Sequence, residues 1–332
     1  ILIIGVGSIG ERHLRCFQLG GRAEVAACEP NDALRERIVG EYGCPGFASM
    51  EEALETGAPW DGAVVCTPAH LHLRQADALL ERGIPVLIEK PLATDGEEAE
   101  TFARRWGDAG PVVRVAYVYR SMPALRRAHE LILAGRIGAV RHVVCRGGQY
   151  FPTYRPAYRD IYYARHESGG GAIQDAVTHL INAVEWLAGP AVSLHCMAAH
   201  MVLEGVSVED TVDLTMRLRD GTQACISHNQ FRAPNENEID CNGTEGTLRA
   251  DLGRQRVGVF RHGDADWSWE DSSLSERDGF FTAQVEAFLD ELDGGPKRLC
   301  GLDEALQTLR VNVAALRSAH EGAVVNLVPA EG

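Results

Sequence analysis

Of the 32 basic residues in this chain of 332, only Lys90 and Lys297 are lysines. A lysine kept where arginine is otherwise used points to work a guanidinium cannot do, such as giving up a proton. Lys297 lies in Gly294-Gly295-Pro296-Lys297-Arg298, a polar turn, and reads as solvated surface. Lys90 closes an apolar run in Glu89-Lys90-Pro91. At a cleft edge, partial desolvation would ready its ammonium for proton transfer. The plain alternative is a surface lysine paired with Glu89. Pro91 stiffens the turn and allows a cis bond before it.

Asp175 and His179 stand four apart in Gly169-Gly170-Gly171-Ala172-Ile173-Gln174-Asp175-Ala176-Val177-Thr178-His179. A helix opened by the triple glycine places them on one face. A carboxylate beside an imidazole fixes its tautomer and raises its basicity, as a general base requires. The same spacing suits a structural histidine on an amphipathic helix, and the two readings weigh equally. This pair offers only two ligands, so no metal is expected.

Gly5-Val6-Gly7-Ser8-Ile9-Gly10 follows a strand-like Ile1-Leu2-Ile3-Ile4 and opens a helical pattern. Glycines there permit a tight turn and let a pyrophosphate approach the backbone at the helix N-terminus. Glu29 comes 19 positions after Gly10, at the end of the next apolar run. A carboxylate there binds both hydroxyls of an adenosine ribose and repels a 2′-phosphate. The combination predicts NAD rather than NADP, held by Gly5, Gly7, Ser8, Ile9, Gly10 and Glu29. Arg35 or Arg37 would blunt that preference only by leaving a solvated helix face. Cys66-Thr67-Pro68 ends another apolar run, so Thr67, Pro68, Glu89 and Lys90 are cofactor candidates too. A strand-ending turn accounts for Thr67 and Pro68 equally well. His70 and His72 read as structural or exposed.

Arg155, Tyr158, Arg159, Tyr162, Tyr163 and Arg165 crowd the segment before the triple glycine. They suit hydroxyls and a carboxylate or phosphate; they also suit a surface loop or a subunit contact. Tyr117 and Arg120 are further substrate candidates. Trp267 and Trp269 alternate in a strand and share a face, which favours packing over ligand stacking.

These residues need elements to position them. Apolar runs at 1–5, 24–29, 62–66, 85–89 and 112–116 read as strands covered on both faces. Helical patterns at 8–19, 32–42, 49–54, 71–82 and 96–108 lie between them, with Thr94 or Asp95 capping the last. This alternation predicts a Rossmann-type α/β domain over residues 1–118. Residues 119–332 change character, with helices at 123–134, 172–187, 280–292 and 303–320. Strands fall at 140–149, 192–201, 211–219, 223–230, 237–242, 247–250, 257–260 and 266–270, the hairpin signal Asp220-Gly221 among them. They predict an α+β domain with a large, mostly antiparallel sheet for substrate binding and oligomerisation. An uncovered sheet would expose apolar area, so a homodimer or homotetramer is expected.

A net charge of −15 argues against nucleic acid and against a polybasic membrane anchor. No apolar run reaches the ~18–20 residues a membrane helix needs. The chain opens on a strand without a charged leader, so no signal peptide is expected, and the missing Met suggests a slightly trimmed N-terminus. Nine scattered cysteines without a C-x-x-C pair favour a reducing cytoplasm over a disulfide scaffold.

Taken in order, the glycine loop, Glu89-Lys90-Pro91 and Asp175 with His179 resemble the glucose–fructose oxidoreductase / inositol dehydrogenase / rhizopine-catabolism (Gfo/Idh/MocA) family. Gly7-Ser8-Ile9-Gly10-Glu11-Arg12-His13 resembles one branch of it, as does Tyr150-Phe151-Pro152-Thr153-Tyr154-Arg155-Pro156 leading to Tyr158-Arg159. The resemblance spans essentially the whole chain. It implies NAD(P)-dependent oxidation or reduction of a sugar, cyclitol or related polyol. It further implies Lys90 and His179 in proton transfer and substrate binding, with Asp175 beside them. The chain departs from the family pattern at Val177, often Gly, and at Asn182, often Asp. Some relatives are redox-neutral glycoside hydrolases with tightly held NAD, or sugar-sensing proteins, and these are the competing expectations.

Overall fold

The computed structural model describes residues 1–107, 111–272 and 277–327. By contacts the chain divides into two compact units, Ile1–Ser121 with Glu276–Leu306 and Met122–Ser275 with Gln307–Gly332.

The first unit alternates β1 (Leu2–Ile4), α1 (Ser8–Gly20), β2 (Ala26–Cys28), α2 (Asp32–Tyr42), β3 (Gly46–Phe47), α3 (Met50–Glu55), β4 (Ala63–Val65), α4 (His72–Leu80), β5 (Val86–Ile88), α5 (Gly96–Trp106) and β6 (Val113–Val115). Side chains of Asn31, Ser49 and Asp95 cap α2, α3 and α5 by accepting N–H groups three residues on. The expected helix over 96–108 therefore starts where Asp95 allows; residue 108 lies outside the described residues. The core strands are fully buried apolar triplets, as strands covered on both faces must be.

In the second unit, α6 (Pro123–Leu133) leads into β7 (Val140–Tyr150) and a short helix α7 (Phe151–Tyr154). A single π-helical turn, Ile173–Val177, runs into α8 (Thr178–Ala188). Then come β8 (Ala191–Ala199), β9 (Thr211–Leu218), β10 (Gln223–Asn229), β11 (Phe231–Gly243), β12 (Gly246–Asp251), β13 (Arg256–Arg261) and β14 (Ser268–Asp271). Helix α9 (Arg277–Leu292) and β15 (Cys300–Gly301) return to the first unit, α10 (Leu302–Glu321) follows, and β16 (Val325–Asn326) closes the second sheet.

The first sheet has the order β15-β6-β5-β4-β1-β2-β3. All its neighbours are parallel except β15 on β6. Strand order reverses between β1 and β4, and ligands of such sheets bind beyond the carboxyl ends at that point. Helix α9 joins this unit because Arg12 and Arg15 pair with Asp278, and Arg22 with Glu286 and Asp290. A contiguous reading of the sequence keeps α9 with the second half.

The second sheet runs β14-β13-β12-β11-β7-β10-β9-β8-β16, antiparallel throughout except for the β7–β10 pair. Strand β11 extends well before the expected residue 237, with a register shift between Phe231 and Glu236 that the broken apolar alternation hid. On β9, Val212, Leu214, Met216 and Leu218 are buried while Asp213, Thr215 and Arg217 are exposed. The open face is polar rather than apolar. Arg146 pairs with Glu236 and Glu238, and Arg249 with Asp240, which solvates the face the sequence reading expected to be greasy. Trp267 and Trp269 stack 5.5 Å apart, beneath Arg249 and Arg256 respectively.

Candidate active site

At the switch point, a Cβ on Gly10 would fall 1.8 Å from the Gly5 carbonyl oxygen, so α1 closes on the loop only around a hydrogen atom. A Cβ on Gly7 would meet nothing within 4 Å. The fold itself has no need of glycine there; a ligand lying against the backbone does. Gly7 caps α1 without a side-chain bond, which leaves first-turn N–H groups for an anion. Glu29 ends β2 beside the loop. Its Oε2 accepts the Val6 N–H at 3.2 Å and its Oε1 the Asn31 N–H at 3.1 Å. The residues present fit a dinucleotide.

Arg35 donates to the Glu29 carbonyl at 2.7 Å and pairs with Asp32, while Arg37 pairs with Glu11 and Glu41. Both arginines are thus engaged on their own helix surroundings. Replacing Glu29 with Ala is expected to weaken NAD binding at least tenfold, the worth of one charge-assisted hydrogen bond at about 1.5 kcal/mol. NADP binding should change less, so the ratio of the two dissociation constants narrows; fluorescence titration with each cofactor measures it.

The ends of β4 and β5 complete this row. The Thr67 hydroxyl donates to Gln75 at 2.6 Å. His72, fully buried, sets Nε2 2.8 Å from the Thr67 carbonyl and Nδ1 3.0 Å from that of Pro91. Burial pushes its pKa down against the pull of the two carbonyls, and the neutral ring has one N–H to donate to one of them. The Lys90–Pro91 peptide is cis. Glu89 is buried, with Oε1 2.7 Å from His13 Nε2 and Oε2 accepting the Lys90 backbone N–H at 3.0 Å. Lys90 itself is half-buried. The role of His13 escaped sequence reasoning; the signal was a histidine on the apolar stripe Gly10, His13, Leu14, Phe17 of α1. Tyr117 is buried, and Arg120 holds both oxygens of Glu304 at 2.8 Å.

In the second unit, Asp175 sits in the π-helical turn rather than in the regular helix expected over 172–187, and half-buried His179 follows in α8. The Tyr162 hydroxyl donates to Asp175 Oδ1 at 2.6 Å. Burial and then the Asp175 charge push the Tyr162 phenol well up, so it remains a donor. Burial works against the charge of Arg155, and Asp175 with Tyr162 outweighs it, so its pKa goes up. At the end of β10, burial pushes His228 down to about 4 against the pull of Asp175, which keeps it neutral.

Arg155, Tyr162 and Asp175 are therefore brought together. Tyr158 and Arg159 are not: both donate to the Glu204 carbonyl at 2.8 Å, and Tyr158 packs with Phe151 and Tyr163. Asn182, at the position where the family pattern has Asp, donates to Thr308 at 3.0 Å.

His166 Nε2 lies 2.5 Å from buried Glu209 Oε2. That bond is the main cause that raises the His166 pKa, against burial and with help from Glu209 and Glu167 charges. A raised folded-state value means this pair stabilises the fold fully below the ordinary histidine value and loses that contribution as pH rises through the folded value. His166→Gln should flatten that part of the stability–pH curve, read by thermal unfolding across the range.

The parallel sheet and the glycine loop at its switch point define a dinucleotide-binding protein. The oxidoreductase family model with an NAD-binding Rossmann fold matches residues 1–117, and the GFO/IDH/MocA C-terminal domain model matches residues 125–249. The chain belongs to the GFO/IDH/MocA family of NAD(P)-dependent oxidoreductases. It is 24% identical over 327 residues to an inositol 2-dehydrogenase of Rhizobium meliloti (strain 1021), covering 96% of each chain. The WlbA dehydrogenase from Bordetella pertussis, in complex with NADH and UDP-GlcNAcA, superposes with a TM-score of 0.82 at 25% identity over 98% of both chains. Levoglucosan dehydrogenase, in complex with NADH and levoglucosan, gives a TM-score of 0.86 at 21% identity, over 99% of this chain and 98% of the other, and shows the shared fold.

Proposed function

We propose that this protein oxidises a carbinol of a sugar, cyclitol or related polyol with NAD, or reduces the corresponding ketone. The observation that carries the reading is the placement of Lys90 at the carboxyl end of β5, in the same row of strand ends as the glycine loop and Glu29. NAD, when bound, supplies the hydride acceptor. His179 takes the hydroxyl proton, and Lys90 hydrogen-bonds the substrate oxygen and stabilises its developing charge. Asp175 orients His179 and balances its charge. Arg155 and Tyr162, gathered at Asp175, are the substrate-binding candidates this geometry favours. We place the enzyme in the cytoplasm as a homodimer or homotetramer. Nine cysteines without a disulfide support the first; the second rests on the sheet having one uncovered face, whose charged rows would meet those of a second copy rather than an apolar patch.

The test is absorbance of reduced nicotinamide during a screen of sugars, cyclitols and uronic acids with NAD and NADP. Net NADH formation supports the reading. Substrate consumed with retained cofactor and no net NADH makes the enzyme redox-neutral. Ligand binding without any turnover makes it a sensor.

A further inference from the structure

The sequence offers no reason for three glycines before the Asp175 turn beyond helix opening. The structure supplies one. A Cβ on Gly171, which has φ +86°, would lie 2.6 Å from both carboxylate oxygens of Glu209. Glu209 is only 7% exposed and comes from the strand-entry segment ahead of β9. Its Oε1 accepts the Ile173 N–H at 2.8 Å, and its backbone carbonyl accepts the Ala172 N–H at 2.9 Å. Its Oε2 faces His166 Nε2, and His166 belongs to the loop that carries Tyr162. Gln174 then donates to the His166 carbonyl at 3.0 Å.

We propose that Glu209 is a positioning residue for the chemistry assigned to Asp175: one buried carboxylate fixes both the turn that carries Asp175 and the loop that carries Tyr162. Its kinetic consequence rests on the dehydrogenase reading; its structural consequence does not. A buried carboxylate persists only where its oxygens are satisfied, and here its partners lie on the two segments that must meet. A π-helical turn is rare and recurs at functional sites, and here Glu209 accepts the N–H of its first residue, Ile173. Without Glu209 the Ile173 N–H loses its acceptor and His166 its counter-charge. The Tyr162–Asp175 bond then joins two segments that are no longer fixed. The neighbouring acid does different work: Asp210 accepts the N–H groups of Met201, Val202 and Leu203.

The experiment compares Glu209→Ala, Glu209→Gln and, as a control, Ser318→Ala. Ser318 is buried in the same unit and bonds Cys196 N–H and the Ala323 carbonyl. Amide exchange over residues 160–177 needs no substrate. Glu209→Ala should lower protection there at least tenfold, Glu209→Gln about threefold, and the control not at all. With a polyol found by the screen, Glu209→Ala should raise KM about tenfold while NAD affinity holds, and Glu209→Gln should recover most of that. Protection unchanged over 160–177, or a KM rise no larger than in a control matched for loss of Tm, overturns the proposal. A screen without turnover overturns the dehydrogenase reading, and the exchange data still decide the role of Glu209.

Discussion

Lys90→Ala is expected to bind NAD within about threefold of the wild type and to turn over about a thousandfold more slowly. The size follows from the role proposed for Lys90: its cation stabilises the developing oxyanion, and losing one such group commonly costs about two to three orders of magnitude. Cofactor affinity should hold because the groups proposed to carry most of it lie elsewhere: the glycine loop, first-turn N–H groups of α1 and Glu29. Lys90→Arg sharpens the test. Arginine keeps the charge and does not give up a proton. Activity as low as in the alanine variant assigns Lys90 a proton role; recovery to within tenfold assigns it electrostatics alone. Stopped-flow measurement of NADH formation alongside equilibrium NAD titration separates chemistry from binding. A Lys90→Ala variant with near-normal kcat would remove Lys90 from the site.

Gly10→Ala should abolish the cofactor site altogether. The added Cβ would sit 1.8 Å from the Gly5 carbonyl oxygen and 3.2 Å from Cys66 Cβ. The first obstacle is backbone, so no side-chain rotation relieves it. Either α1 moves outward or the turn opens, and both displace the N–H groups meant for the pyrophosphate. Overpacking of this kind costs about 3 kcal/mol. NAD affinity should fall more than a hundredfold, with a lower Tm by calorimetry. Gly7→Ala is the informative partner. Its Cβ meets open space, so Tm should hold while NAD affinity falls, because only the ligand contests that volume.

The alternating pattern of the first half was legible because strands covered on both faces are short apolar runs, each of the first five is followed by a helix, and three of those helices carry a side-chain cap. The place of the glycine loop was legible because Gly10 stands where no Cβ fits, and the places of Glu29 and Lys90 because each follows a buried apolar strand. Less legible was anything that depends on a partner far along the chain. Arg120 reads as a substrate candidate by type, yet its guanidinium lies on Glu304, 184 residues away. Tyr158 and Arg159 share the composition of a binding loop with Tyr162, and only the fold turns them to Glu204. Glu209 carries no motif at all; its importance lies in which backbone it reaches. The π-helical turn was hidden because its residues have ordinary helical character and five residues, four of them buried, are too few to show a change of period.

The return of residues 276–306 to the first unit bears on how the protein is made. Strand β15 covers the outer edge of β6 through Cys300 and Gly301, and α9 supplies the Asp278 carboxylate that Arg12 and Arg15 of α1 grip. A nascent chain emerging from the ribosome therefore carries a nucleotide-binding sheet with a bare edge until all but the last strand of the second sheet has been synthesised. A bare edge is a template for mispairing. The cofactor half, first to be translated, is among the last to be finished, and a fragment cut after residue 121 would inherit that unfinished state.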